Sequence, residues 1–377
     1  MFLLCLILIV LGDAATKLLT FSPAPSAIIK GLLLIPMVIY SFKIDRSFLF
    51  YFSISFSLFI FGCLMHSKIF MIQSIPQFFE YFFGIFFFIT FKNTDWKKLY
   101  LPLNIIFLTH ATIILIAVIF QISFLKTYYS PDRFGYISLF NSQNEFSFIL
   151  MAGTIFFYSE YWIKRKSIVL VKLLVFAIAG LMVGTKAFLL FLLGFSIIVL
   201  FSTISLSRSL IISIVALIAV WLSKTIIIGF IKNHFGLLFK LYQKEGFLSV
   251  ISSRRTIYLE ERFTDYMSQN TVVNFLFGGG RMNQIFEMSL LDVLSFMGII
   301  GFFLYIYLLY TRILKYLDFP TISKMLFGLV ILISVFSGYL LENASAQLYI
   351  LVVGMIVSVH FGSNGSANRK SEEKNIK

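Results

Sequence analysis

Apolar runs of roughly 20 residues recur along almost the whole chain, and they limit its possible folds more than any other feature. A run of this length can cross the hydrocarbon core of a bilayer as an α-helix. No soluble fold could bury so much apolar surface, because 59% of the 377 residues are hydrophobic and only 13% are charged. The sequence therefore predicts an all-α polytopic membrane protein.

Hydropathy and polar breaks predict about 12 spans. Their predicted limits are 2–20, 27–42, 47–65, 76–91, 99–121, 143–162, 167–184, 187–205, 209–230, 288–310, 321–341 and 344–361. The first nine spans form one predicted unit over residues 1–230, and the last three form another over 288–362. Between them, residues 231–287 form one long loop, in which "SSRRTIYLEERFTDYM" predicts a helix. The polar residues 363–377 predict a disordered tail.

Lysine and arginine concentrate in alternate short loops, which indicates that those loops are cytoplasmic. The pattern predicts that both termini and the basic run 164–166 lie in the cytoplasm, and that residues 130–145 and 231–287 lie outside. These flanking residues also explain the net charge of +14. Because no basic domain exists outside the spans, we expect no nucleic-acid partner.

The N-terminus predicts an uncleaved first span, since no basic region precedes its apolar run and Asp13 and Lys17 stand where a cleavage site would be expected. Their spacing places both on one helix face, where we expect them to neutralise each other. Glu80 is close enough to a predicted span end to reach water. Cys5 and Cys63 both lie in apolar runs, so no disulfide framework is expected.

Cations recur at the predicted outer face where spans meet water. They are Arg133, Lys186, Arg254, Arg255 and Arg281. Converging arginines could hold the pyrophosphate of a lipid carrier and stabilise the charge that grows on it during bond cleavage. A single interfacial arginine is more often an anchor for lipid headgroups, and this interpretation is favoured for Arg255 and Arg281 taken singly.

Two acids, Glu287 and Asp292, open predicted span ten. A carboxylate beside the arginines could remove a proton from an attacking hydroxyl. If the span is helical from Glu287, the acids point about 140° apart and have different roles, one of which would be to orient an arginine. Asp292 is predicted to lie more than a turn inside the span, where an acid is costly. No metal-binding sequence motif occurs, so we expect neither a metal nor another cofactor.

Four segments resemble the O-antigen polymerase and ligase superfamily of bacterial polysaccharide assembly. They are "RFGYISLFNSQNEFSFIL", "LMVGTKAFLLFLLG", "SSRRTIYLE" and "FLFGGGRMNQIFEMSLLDVLSFMGIIGFFLY", and together they cover roughly residues 130 to 310. The resemblance implies a GT-C-like fold and a metal-independent, inverting glycosyl transfer in a bacterial cytoplasmic membrane. The implied donor and acceptor are oligosaccharides linked to undecaprenyl pyrophosphate. Membrane lipids and a chain-length regulator protein are further implied partners.

The resemblance also implies roles for single residues. Arg254 matches the arginine of the large outer loop, and together with Glu287 and Asp292 it would form the catalytic set. The substrate-binding set would be Arg133, Asn141, Asn144, Lys186, Arg255 and Arg281, with Arg133 on phosphate and the amides near sugar hydroxyls. Lys186 stands where other members of the superfamily carry arginine.

Three alternatives remain beside a repeat-unit polymerase. A ligase of the same superfamily is disfavoured because "FEMSLLD" occupies the place where the ligase branch carries a histidine. A polysaccharide flippase or other transporter also suits the span count, but transporters usually carry charges deep in several spans, whereas these polar residues cluster at one face. A purely structural membrane partner is the third alternative.

Overall fold

A computed structural model describes residues 2–19, 24–66, 68–128, 134–140, 142–203, 240, 242–244, 246, 255–279 and 286–361. This part of the chain is almost entirely helical, which confirms the all-α class. The α-helices are α1 (Phe2–Leu18), α2 (Ala24–Ile44), α3 (Arg46–His66), α4 (Lys68–Phe91), α5 (Tyr100–Ile119), α6 (Gln143–Lys164), α7 (Ser167–Met182), α8 (Lys186–Thr203), α9 (Arg255–Gln269), α10 (Val272–Phe277), α11 (Ser289–Arg312), α12 (Thr321–Ser337) and α13 (Ala344–Phe361).

Among the residues that the structure describes, six helical segments are long and apolar enough to cross a membrane, which indicates a membrane protein. They are Pro25–Ile44, Arg46–Met65, Ser74–Phe91, Trp96–Ile119, Gln143–Lys164 and Ser289–Tyr316. Shorter apolar helices are Ser167–Met182, Lys186–Ser202, Thr321–Ser337 and Ala344–His360. The count of about 12 spans remains a prediction, because predicted span nine, most of the long loop and the tail 363–377 lie outside the described residues.

The centre of the bundle is built from α6 and α4. In α6, 83% of the span is buried, against 11% in α2. Phenylalanines of α4 fill the space beside it, including Phe82, Phe86 and Phe87, all fully buried. A helix that is apolar on every face is typical of a position surrounded by neighbours. Within a membrane, dense packing of such side chains supplies much of the attraction between helices.

The glycine-rich turn after α10 packs against a kink in α11. Gly298 interrupts α11 with φ 70° and ψ 172°. A Cβ on Gly298 would lie only 2.3 Å from the Gly278 nitrogen, so this close approach requires glycine. The Gly279 N–H donates to the Phe296 carbonyl at 3.0 Å. The turn therefore fixes α10 against the N-terminal half of α11.

One end of the bundle carries polar contacts that join the first helix to the last and α9 to α12. Ser345, at the start of α13, donates through its hydroxyl to Asp13 Oδ2 near the end of α1 at 2.7 Å. Arg255, at the start of α9, donates to the Phe336 carbonyl at the end of α12 at 2.9 Å. Glu145, at the start of α6, lines the same cavity as Asp13. We call this end the polar end. Its described residues lie within 13–30, 134–147, 183–186, 255–292 and 336–347.

Candidate functional site

The nine sequence-predicted site residues divide into two groups. Arg133, Asn141, Arg254 and Arg281 lie outside the described residues. The others are described, and all of them lie at the polar end. They are Asn144, Lys186, Arg255, Glu287 and Asp292.

The segment 134–140 lies against the turn between α7 and α8. The Tyr136 N–H donates to the Met182 carbonyl at 2.9 Å. A Cβ on Gly184, which has φ +73°, would meet the Phe134 carbonyl oxygen at 2.2 Å, so the two backbones are in direct contact. Residues 134–140 and the turn between α7 and α8, which belong to two of the four segments on which the predicted resemblance rests, are therefore neighbours in space.

Asn144 and Lys186 are brought to this junction by the helices that they begin. Asn144 lies in the first turn of α6, which Ser142 caps by accepting a hydrogen bond from the Glu145 N–H at 3.4 Å. Lys186 is the first residue of α8 and is half-buried. The hydroxyls of Ser147 and Thr185 lie 2.7 Å apart and connect these two helix starts.

Arg255 and Glu287 form an ion pair between the start of α9 and the entrance to α11. Nε and Nη2 of Arg255 donate to Glu287 Oε2 at 3.0 and 2.9 Å, and Nη1 donates to the Phe336 carbonyl. The Arg255 side chain is 10% exposed, whereas that of Glu287 is 38% exposed. All three nitrogens of the Arg255 guanidinium therefore donate to protein groups. The Glu287 carboxylate stays within reach of water.

Asp292 has a different environment from the predicted one. The helix α11 begins at Ser289, so Asp292 lies in its first turn, and the prediction that it lies more than a turn inside the span was wrong. Its Oδ1 and Oδ2 accept hydrogen bonds from the Phe286 and Met288 N–H groups at 2.6 and 2.7 Å. The expected angle of about 140° between the acids does not apply either, because Glu287 precedes the helix with φ 57°.

The sequence reasoning missed Glu342, in the connector between α12 and α13. Glu342 lies next to Asp292, and burial, followed by the proximity of Asp292, raises the pKa of Glu342 to about 9. The connector is held at the start of α11 by a hydrogen bond from the Leu340 N–H to Ser289 Oγ at 3.2 Å. The signal for Glu342 was its place between the last two predicted spans, where the topology already predicted an outer position.

A second polar cluster surrounds a cavity of about 500 Å³ between α1, α2, α4, α6 and α13. Lys30 Nζ of α2 lies 3.1 Å from Asp13 Oδ1 of α1, and the Ser26 hydroxyl donates to the same oxygen. The prediction that Asp13 and Lys17 neutralise each other was therefore wrong. Lys30 and Ser26, both on α2, provide Asp13 with a counter-ion and a hydroxyl donor. Lys17, one turn away on α1, provides neither.

Two more acids reach this cavity from α4 and α6. Glu80 Oε1 accepts a hydrogen bond from the Ala344 N–H at 3.5 Å. Glu80 is half-buried and lines the cavity, and its access to water at a span end stays a prediction. Glu145 is only 6% exposed. Among the described residues, none provides a hydrogen-bond partner for Glu145 Oε1. An acid buried to this extent at the start of an apolar helix is costly to place, which suggests a functional role for Glu145.

Metal ligands do not cluster in the described ranges, where no group of three or more histidine, cysteine or acidic side chains could hold a metal ion. The arrangement at the polar end consists instead of one arginine–carboxylate pair, one capping aspartate and one acid-lined cavity. The chain matches no known family profile, no curated protein and no solved structure.

Proposed function

We propose that this protein is a polymerase of oligosaccharide repeat units carried on undecaprenyl pyrophosphate. It would work at the outer face of a bacterial cytoplasmic membrane and make O-antigen or capsule-type polysaccharide. The observation that carries the proposal is the pairing of Arg255 with Glu287 at the entrance to α11. This pair lies at the same end of the bundle as the junction of residues 134–140 with the α7–α8 turn. The GT-C-like fold belongs to the same proposal.

The proposed chemistry is an inverting glycosyl transfer. A hydroxyl of the acceptor sugar attacks the anomeric carbon of the donor, the bond to the pyrophosphate oxygen breaks, and the hydroxyl proton passes to a base. Arginines stabilise the negative charge that grows on the leaving pyrophosphate. Arg254 and Arg133 are assigned this task from the resemblance, and both lie outside the described residues.

The contacts of the two acids divide their roles. Both oxygens of Asp292 already accept backbone hydrogen bonds, so Asp292 is a positioning residue that shapes the entrance to α11. Glu287 is half exposed and is the better candidate for the base. Arg255 holds Glu287 in place, because its fork connects this carboxylate to the end of α12.

The proposal is tested with purified protein that extends lipid-linked repeat units in detergent with a chelator present. Glu287→Gln keeps the size of the side chain but removes the base, and we expect a loss of about 30- to 1000-fold in rate, or about 2–4 kcal/mol. Arg133→Lys and Arg254→Lys keep the charge but lose the planar fork, and should lose activity to a similar degree. Glu261→Gln, on an exposed face of α9, is the matched control.

Two results would refute this proposal. Wild-type rates in all three variants, at matched protein level, would show that these residues do not take part in the chemistry. Loss of wild-type activity on addition of chelator, with recovery on adding one divalent ion, would exclude the metal-free mechanism.

A transporter is the second candidate, and the buried cavity favours it. Asp13, Lys30, Glu80 and Glu145 place charged groups inside four different helices, as transporters often do. Deletion of the gene separates the two functions. Loss of a polymerase leaves lipid-linked units on the outer face without long chains, whereas loss of a flippase leaves the units on the cytoplasmic face.

A further inference from the structure

The acid-lined cavity has no role in the transfer chemistry described above, yet it has the properties of a binding site. Its volume of about 500 Å³ lies within the range of roughly 300–1,000 Å³ typical of small-molecule sites. It opens among the helix ends of the polar end, where Ser142 and Asn343 contribute to its lining. A small polar molecule could therefore enter it from the same side as the donor.

The charges around the cavity select against anions. Asp13, Glu80 and Glu145 face one cation, Lys30, which already lies 3.1 Å from Asp13. Glu145 is close enough to Lys30, Asp13 and Glu80 to interact with all three. Because Lys30 is already paired with Asp13, a phosphate or carboxylate placed here would meet acidic groups and no unpaired cation of the lining. The site favours a ligand that donates hydrogen bonds.

One hydrogen-bond acceptor in the cavity lining lacks a donor among the described residues. Glu145 Oε1 is buried and has no hydrogen-bond partner among the described residues. Leaving an acceptor of this kind unsatisfied is costly, whether or not the carboxyl group carries a proton, because its carbonyl oxygen still accepts. Because Glu145 lines the cavity, a rotation of its carboxyl group would bring this oxygen to a ligand hydroxyl.

The rest of the lining is apolar. Leu34, Pro76, Phe79 and Phe83 supply aliphatic and aromatic surface. A ligand that fits must therefore combine hydroxyl donors with C–H faces, and a pyranose ring has both. We propose that this cavity binds a non-anionic sugar ring, whose hydroxyl group donates to Glu145, and that its carboxylates exclude acidic sugars. The assignment of this ring to the repeat unit rests on the proposed function, but binding of the ring does not.

Saturation-transfer NMR on the purified full-length protein tests binding directly. The probes are glucose, galactose, mannose and glucosamine, with glucuronate as the anionic counterpart. We expect at least one of the four to bind, and glucuronate to bind at least about 10-fold more weakly. Glu145→Gln should weaken binding about 10-fold, because it replaces one oxygen of the carboxyl group by an NH₂ group, which donates hydrogen bonds and does not accept them. Glu261→Gln should bind as the wild type does.

A labelling experiment keeps the proposal testable if Glu145→Gln does not fold. Ala27 is exposed and lines the cavity, whereas both natural cysteines are buried. In Ala27→Cys, a bound sugar should slow alkylation by a maleimide at least 5-fold, and glucuronate should not. Ser268→Cys, on an exposed face of α9 away from the cavity, should be alkylated at one rate throughout.

The outcomes also separate this proposal from the proposed function. If no sugar binds or protects, or if glucuronate does so equally well, the cavity is not the site that we propose, even in a protein that polymerises. If sugars bind and protect but purified protein extends no lipid-linked units, the polymerase is refuted and the sugar site stands.

Discussion

The two ends of the bundle carry their charges in opposite ways. At the polar end, carboxylates are buried: Asp292 is 0%, Asp13 5% and Glu145 6% exposed. At the opposite end, which we call the basic end, lysines and arginines lie in the loops and face solvent. The described residues of the basic end lie within 43–47, 92–100, 160–172 and 311–324.

We interpret this difference as a separation between charges that set topology and charges that serve the proposed function. Exposed lysines and arginines are inexpensive to place, and such residues orient helices by keeping their side in the cytoplasm. Buried acids in helix ends are expensive to place. The described part of the basic end buries one acid, Glu160, which is 2% exposed and is paired with Lys164 at 2.9 Å. The polar end buries several acids, and Glu145 Oε1 has no hydrogen-bond partner among the described residues, so we expect a polar substrate to bind there.

The largest expected effect concerns the orientation of the two ends. Glu261 at the polar end and Lys166 at the basic end are both exposed, so single cysteines there should react readily. In intact cells, an impermeant maleimide should label Glu261→Cys and leave Lys166→Cys unlabelled until the membrane is opened, because basic loops stay cytoplasmic. Labelling in the reverse order would invert the topology and place the proposed chemistry on the wrong side.

The next largest effect is on stability at the polar end. Asp292→Ala removes the acceptor of two backbone N–H groups, those of Phe286 and Met288. Each buried donor left without a partner costs about 1–3 kcal/mol, so the variant should be destabilised by roughly 2–6 kcal/mol. Thermal unfolding in detergent measures this loss. Asp292→Asn is the matched control, since it keeps one acceptor oxygen. Its unfolding midpoint should lie between those of the wild type and Asp292→Ala. An unchanged midpoint in Asp292→Ala would refute the capping role.

Hydropathy predicted the parts of this structure that depend on length and polarity. The buried α4 and α6 were recognised as spans, and the loop pattern placed Arg255 and Glu287 at the same end although they are 32 residues apart. Their shared end of the bundle and their opposite charges favour the direct contact between Arg255 and Glu287.

Hydropathy did not predict which helices are neighbours. A span that is apolar on all faces gives no preferred direction for packing, so the sequence could not show that α2 would bring Lys30 to Asp13. The local rule for helix neighbours favoured Lys17 instead. For the same reason Glu80, Glu145 and Glu342 were not recognised as one region, since they come from three distant segments that meet only through packing.

The third prediction uses the pKa of Glu342, which burial and then Asp292 raise from 4.5 to about 9. Between these values the folded protein holds a proton that the unfolded chain releases. The stability that this proton provides is fully present below about pH 4.5 and is lost as the pH rises through about 9. Glu342→Gln cannot bind or release this proton. The difference between its thermal unfolding midpoint and that of the wild type should therefore increase from pH 5 to pH 9. Parallel pH profiles would show that Glu342 is ionised in the folded state, and Glu261→Gln should run parallel to the wild type.

The smallest effect is expected at the basic end, where Arg312 forms an ion pair with Asp45 at 3.0 Å. The two side chains are 19% and 15% exposed, so solvent screens the pair only in part. Arg312→Gln should therefore lower the unfolding free energy by about 1–2 kcal/mol, more than for a fully exposed pair and less than for Asp292→Ala. Asp45 keeps its hydrogen bonds from the Ser47 hydroxyl at 2.9 Å and from the Phe48 N–H at 2.8 Å, so it is not left without partners. Activity should be unchanged, because the pair lies far from the polar end. If Arg312→Gln destabilised the protein as much as Asp292→Ala does, burial would not distinguish the charges at the two ends, and the assignment of function to the polar end would lose its physical basis.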